Sequence, residues 1–322
     1  MAQRVAVVVG AAGMGEAVAT RLLRDGCDVI LFDRRDCRAA AGRIEQTIAI
    51  TAGEPDTRAD PYVDARPETG ADPYVDARPE TRPDAHDDTR NVPRPDPRPG
   101  TRSDGRHVAR PGIAPDATRV PGRPCGELLA AFGPLDDPAD LRRALPAVLR
   151  EAGHGPAVDA VVYTLLPDDA FTPRPLASLA AADWDRLAEE PVRWGLTVLQ
   201  VAHEYLLPRR GRFVFVLPSI ALEGGAGLVP LATCAESLRA LGKSAARRWA
   251  AAGITVNFVV PDVFAYGAEE LRGTDVDRGE SVLPGPSTAG DVADTVALFL
   301  APEAGRLTGA TLTVDGGALM TP

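Results

Sequence analysis

Five apolar residues, Val5-Ala6-Val7-Val8-Val9, run without a break into Gly10-Ala11-Ala12-Gly13-Met14-Gly15, and an amphipathic stretch over residues 16–24 follows at once. A strand that passes through three glycines into a helix is a narrow instruction. Such a turn needs positive φ and close backbone approach, which side chains obstruct. The alternation then continues. Gly26 closes the first helix, residues 28–32 read as a second strand closing on Asp33, and residues 38–50 read as a second helix. Farther on, helices are expected over 138–152, 183–207, 233–252 and 291–300. Strands are expected over 157–166, 212–217, 254–260 and 310–315.

The strands are solid Val/Ile/Leu runs rather than alternating ones, so both faces of the sheet are expected to be covered by the intervening helices. The fold class that follows is α/β, a Rossmann-type doubly wound parallel sheet in a single domain.

One stretch breaks the pattern. Residues 52–126 hold 14 of the 30 prolines, and the unit Ala59-Asp60-Pro61-Tyr62-Val63-Asp64-Ala65-Arg66-Pro67-Glu68-Thr69-Gly70 recurs over 71–82 with only its last residue changed. Each unit offers just Tyr and Val as large apolar groups, which cannot offset roughly 1–2 kcal/mol of backbone ordering per residue. Twelve Arg against fourteen Asp and Glu leave the stretch almost neutral and densely charged. It is expected to be a long disordered insert. The domain is then built from residues 1–51 and 127–322, and 322 − 75 = 247 residues are enough for one core.

Composition excludes several function classes. A net charge of −10, with acids and bases mixed along the chain, supplies no basic face for nucleic acid. No run approaches the roughly 20 apolar residues that span a bilayer. The four cysteines, Cys27, Cys37, Cys125 and Cys234, lack metal-ligand spacing and suggest no disulfide frame, so no metal and a cytoplasmic location are expected. Of the 35 basic residues only Lys243 is lysine.

The first turn points to a dinucleotide. Backbone N–H groups of Gly10, Ala12, Gly13, Met14 and Gly15 open a helix whose dipole favours a pyrophosphate. Asp33 ends the second strand 18 residues after Gly15 and is placed to accept from a ribose 2′-hydroxyl, which favours NAD. Arg34 and Arg35 follow it and suit the 2′-phosphate of NADP instead.

The chain resembles the short-chain dehydrogenase/reductase family. The resemblance is carried by residues 7–18, by Ala251-Ala252-Gly253-Ile254-Thr255-Val256-Asn257 before Pro261, and by Leu307-Thr308-Gly309-Ala310-Thr311-Leu312-Thr313-Val314-Asp315-Gly316-Gly317. The last segment is similar to the final strand of the acyl-carrier-protein reductase branch. The resemblance implies a dinucleotide-dependent enzyme assembled as a homo-dimer or tetramer. It also implies a catalytic tetrad: a Tyr that protonates the substrate carbonyl, a Lys four residues later, a Ser that orients the substrate and an Asn that holds a water.

Here the Tyr position falls on Leu231, the Lys position on Ala235 and the Asn position on Pro191, while Ser219 keeps the Ser. Tyr163 and Thr164 stand where the family carries Asn-Asn, Pro261 keeps the proline after the sixth strand, and Tyr266 takes a Thr position. Ser219 and Tyr266 are therefore the candidate catalytic residues. Three readings stay open. The first is an NAD(P)-dependent oxidoreductase acting on a small ketone, quinone or alcohol, with a non-standard proton donor and a place in secondary metabolism. The second is a catalytically inactive binding module or partner subunit, the latter in a hetero-oligomer with an active relative. The third is a non-redox cyclase or dehydratase on the same fold.

Overall fold

The computed structural model describes residues 3–51, 112–113, 125–274, 276 and 281–320. The chain divides into two units, Met1–Gly53 together with Ala109–Pro322, and Glu54–Val108. The second unit, with the repeat and the expected disorder, lies outside the described residues, as does most of the remaining insert.

The first unit is a sheet ordered β3-β4-β2-β1-β5-β6-β7-β8. Its strands are β1 (Val5–Val9), β2 (Asp28–Asp33), β3 (Gly112–Ile113), β4 (Leu128–Phe132), β5 (Ala160–Tyr163), β6 (Arg212–Val216), β7 (Thr255–Pro261) and β8 (Thr311–Val314). Seven run parallel, and the two-residue β3 pairs antiparallel with β4 at one edge. The helices are α1 (Met14–Arg24), α2 (Arg38–Thr51), α3 (Pro138–Glu151), α4 (Ala181–Trp184), α5 (Glu190–Leu206), α6 (Val229–Trp249) and α7 (Ala289–Leu300).

Period-two side-chain alternation divides the core into two layers. Val5, Val7 and Val9 join Ile30, Phe32, Tyr163 and Phe215 in the layer that includes residues of α3, α5 and α6. Ala6 and Val8 join Val29, Leu31 and Val162 in the layer that includes residues of α1, α2 and α7. The strand order reverses between β1 and its neighbours β2 and β5, which opens a crevice at their carboxyl ends.

Several boundaries differ from the sequence expectation for physical reasons. The sequence pattern assigns no strand to Leu128–Phe132, because Ala130 and Ala131 dilute its apolar signal. Strand β5 stops at Tyr163 instead of continuing to 166: the Thr164 N–H makes the last bond to β1, at the Val9 carbonyl (2.8 Å), and Leu165 then lies against Gly10 of the glycine turn. Helix α6 begins at Val229, with Pro230 in its first turn where a missing N–H costs no hydrogen bond. The helix expected over 183–207 is interrupted by a π-helical turn, Asp185–Glu189. Pro191 cannot donate to the carbonyl of Leu187, and the Glu190 N–H bonds instead to Asp185, five residues back.

The opposite end of the sheet explains part of the arginine usage. Helix carbonyls converge there, and Arg4 donates to the Asp25 carbonyl at 3.0 Å. Arg212 donates to the carbonyls of Phe299 (2.9 Å) and Pro302 (3.4 Å). Arginine forks thus satisfy orphaned C-terminal groups of α1 and α7. Asp28 ties the chain after the insert to β2, accepting from the Glu127 N–H at 2.8 Å. Among the described residues no helix is long and apolar enough to cross a membrane.

Candidate active site

The glycine turn is shaped by contacts that a β-carbon would destroy. Gly10 has φ +104°, and a β-carbon there would lie 2.7 Å from both the Leu165 nitrogen and the Thr164 hydroxyl. One on Gly15 would lie 1.7 Å from the Gly10 carbonyl oxygen. Gly13, φ +43°, has open space in front of it, and both Ala12 and Gly13 are exposed at the uncapped head of α1. The Thr164 hydroxyl donates toward the carbonyls of Val9 (3.2 Å) and Gly10 (3.1 Å), which pins the turn from the β5 side.

Asp33 holds it from the β2 side. Only 8% exposed, its carboxylate accepts from the Ala11 N–H at 2.7 Å and from the Arg35 N–H at 3.1 Å. Gly10, Ala12, Gly13, Met14, Gly15, Asp33 and Thr164 are therefore brought together at the carboxyl ends of β1, β2 and β5. Arg34 turns inward, with its guanidinium 3.7 Å from the centre of the Trp194 ring, and its buried Nε has no hydrogen-bond partner. Trp194 in turn donates to Asp136 at 3.1 Å. Sequence spacing alone does not reveal this stack, because its members lie just after β2, on α5 and in the loop after β4. Arg35 forks onto Asp168 with both contacts at 2.6 Å.

Tyr163, expected among the cofactor contacts, sends its ring to the other side of the sheet. There it meets Phe215 edge-on at 5.5 Å and donates to the Pro191 carbonyl at 3.4 Å. Complete burial holds its phenol well above the ordinary tyrosine range. Only its backbone remains near the crevice. Pro261 ends β7, buried and in register with Val314.

The positions that the resemblance assigns to the Tyr and the Lys are packed solid. Leu231 is 1% exposed and Ala235 fully buried. Leu231 belongs to an apolar cluster with Ala170, Ile220, Leu228, Val263 and Leu271, against which Leu166, Phe171 and Phe264 rest. Ser219 is buried at the start of a 3-10 turn, Ser219–Leu222. Cys234, beside Ala235, is buried, which pushes its thiol up to about 12. Lys243 is exposed.

Tyr266 lies on the 3-10 turn Val263–Tyr266, which Asp262 caps by accepting from the Phe264 N–H at 2.7 Å. Its ring is partly exposed and stacks at a tilt on Phe171 at 4.9 Å. Its hydroxyl, by contrast, is buried without a partner, and burial raises its pKa.

A family model described as enoyl-(acyl carrier protein) reductase matches residues 141–319, more than half of the chain. The chain belongs to the short-chain dehydrogenase/reductase family. Among curated relatives, the 3-oxoacyl-[acyl-carrier-protein] reductase of Staphylococcus aureus is 28% identical over 151 residues, covering 45% of this chain and 61% of that one. The (3R)-3-hydroxyacyl-CoA dehydrogenase of Mus musculus is 28% identical over 150 residues, covering 45% and 58%. This short-chain dehydrogenase/reductase thus spans about three fifths of the length of the curated relatives it matches.

Two solved structures share its fold over nearly the whole chain. One is a blue fluorescent protein from a metagenomic library in complex with NADPH, with a TM-score of 0.63, 21% identity and 98% of each chain covered. The other is a short-chain dehydrogenase/reductase from Serratia marcescens, with a TM-score of 0.62, 20% identity and coverage of 98% and 97%.

Proposed function

We propose that the chain is an NAD(P)-dependent oxidoreductase that reduces a small ketone or quinone, or oxidises the corresponding alcohol, without the family's Tyr–Lys pair. The observation that carries this reading is the glycine turn. Its backbone is shaped by Gly10 and Gly15 and open at Gly13, and Asp33 and Thr164 hold it from the two neighbouring strands. That geometry suits a dinucleotide, with Ala12, Gly13 and Met14 presenting N–H groups to the pyrophosphate and Asp33 and Thr164 fixing the turn. The buried carboxylate of Asp33 opposes a 2′-phosphate and favours NAD(H). When bound, the nicotinamide supplies or accepts the hydride.

The residues of this chain then do two things. The apolar cluster around Leu231 excludes water and selects an apolar substrate face. Ser219 orients the substrate oxygen, while the Tyr266 hydroxyl, kept protonated by burial, donates a hydrogen bond to it. So weak an acid suits a substrate whose own phenol or enol delivers the proton, such as an aromatic polyketide of secondary metabolism. Assembly as a homo-dimer or tetramer in the cytoplasm belongs to the same reading.

The test is hydride consumption with phenolic ketones and quinones. Tyr266→Phe and Ser219→Ala should each lower kcat about tenfold to a hundredfold while leaving dinucleotide affinity within about twofold. Unchanged kcat in both variants would remove them from the reaction.

The packing at Leu231 and Ala235 favours a second reading, in which this chain is a dinucleotide-binding but inactive subunit of a hetero-oligomer with an active relative. Under that reading the protein binds dinucleotide and turns over nothing until the relative is added.

A further inference from the structure

We propose that residues 167–175 form a charge-latched strap across the dinucleotide crevice, which opens on its Arg35 side to admit the ligand; the proposal rests on the dinucleotide reading above. Strands β2 and β5 stand on either side of β1, so the loops that follow them flank the Gly10–Gly15 turn across two strand spacings, roughly 10 Å. Arg35 from one loop forks onto Asp168 from the other, so the pair joins the two loops that flank the turn.

The next residue is pulled the opposite way. Asp169 accepts from Arg174 at 2.6 Å and from Arg186 at 2.5 and 2.9 Å, and Arg186 also holds Asp183 at 2.9 Å. Neighbouring carboxylates thus anchor one segment to both banks of the crevice. Beneath it, Ala170 is buried in the apolar cluster and Phe171 lies on Tyr266. At its far end the Arg174 N–H bonds to the Gly227 carbonyl at 2.8 Å.

The two latches differ in strength. The side chains of Arg35 and Asp168 are 68% and 66% exposed, so solvent and salt screen their attraction. Asp169 is doubly paired, and its partner Arg174 is only 18% exposed. Opening therefore starts at Asp168 and hinges at Asp169–Arg174. Any ligand lying along the turn must part the outer pair, whereas the inner network can stay closed.

Hydrogen exchange on the ligand-free full chain tests the latch directly. Amides of residues 168–172 should exchange about fivefold faster in Arg35→Ala or at high salt, and the swap Arg35→Asp with Asp168→Arg should restore slow exchange. Stopped-flow binding of NADH and of NADPH tests the gate. Association should rise about fivefold for both dinucleotides in Arg35→Ala and lose its dependence on salt through this pair, whereas slower association confined to NADPH would assign Arg35 to the 2′-phosphate and overturn the strap. Unchanged exchange in Arg35→Ala overturns the proposal, whether or not ligand binds. Absence of binding in every form would instead overturn the dinucleotide reading while the exchange result still decides the latch.

Discussion

A β-carbon on Gly15 would stand 1.7 Å from the Gly10 carbonyl oxygen, so Gly15→Ala must push two backbone segments apart. It should destabilise the protein by about 2–3 kcal/mol in urea unfolding, within the range of overpacked positions. Gly13→Ala carries only the strain of φ +43° and should cost about 1 kcal/mol. A reversed order of the two would show that the turn is not built as described. The buried thiols make a second residue-scale prediction. Burial pushes Cys37 and Cys234 up to about 12, whereas an unfolded thiol ionises near 8.5. Above that value the unfolded chain releases protons that the native chain keeps, so stability must fall as pH rises, by about 1.4 kcal/mol per thiol per pH unit. Unfolding free energies between about pH 8 and about pH 10 should show this slope, and Cys234→Ala should flatten it. At this scale the sequence was most legible where spacing is fixed. Counting along the family resemblance puts the expected Tyr and Lys positions at Leu231 and Ala235, and the structure buries both. The Arg34–Trp194 stack is not legible in this way, since only the tertiary fold brings those residues together. Tyr163 sits at a strand end that suggests a ligand contact, yet strand parity aims its ring into the core with Val161.

The helix between β5 and β6 shows what the amphipathic pattern hides. Hydrophobic periodicity is blind to a missing N–H, so one long helix was expected over 183–207, and the π turn at Asp185–Glu189 follows instead from Pro191. Pro191→Ala returns the donor. The turn should relax to α geometry, with a rise in stability of about 1–3 kcal/mol measured by chemical denaturation. A fall in stability would mean that the π turn is held by its surroundings rather than caused by the proline. Strand β4 was missed for the converse reason. Its two alanines carry little apolar signal, and only pairing with β2 makes Leu128–Phe132 a strand. The elements with continuous Val/Ile/Leu runs are legible as strands, though not to their ends: the run over 157–166 forms a ladder only over Ala160–Tyr163.

For the molecule as a whole, the doubly wound sheet follows from the alternation of elements on both sides of the insert, and the family model and the structural neighbours agree with it. Removing Glu54–Val108, the unit that contact boundaries separate from the rest, should leave cooperative unfolding intact and raise stability by about 1 kcal/mol or less, since loop-closure entropy grows only logarithmically with length. Loss of cooperativity would show that the insert contributes to the core. On the proposed reading the glycine turn holds a dinucleotide although Leu231 and its apolar neighbours fill the place the resemblance assigns to the catalytic Tyr. Calorimetric titration of the full-length protein with NADH, with Gly15→Ala beside it, tests this most directly. The account predicts micromolar binding that the variant loses; no binding by the unmodified protein, or equal binding by both, would contradict it.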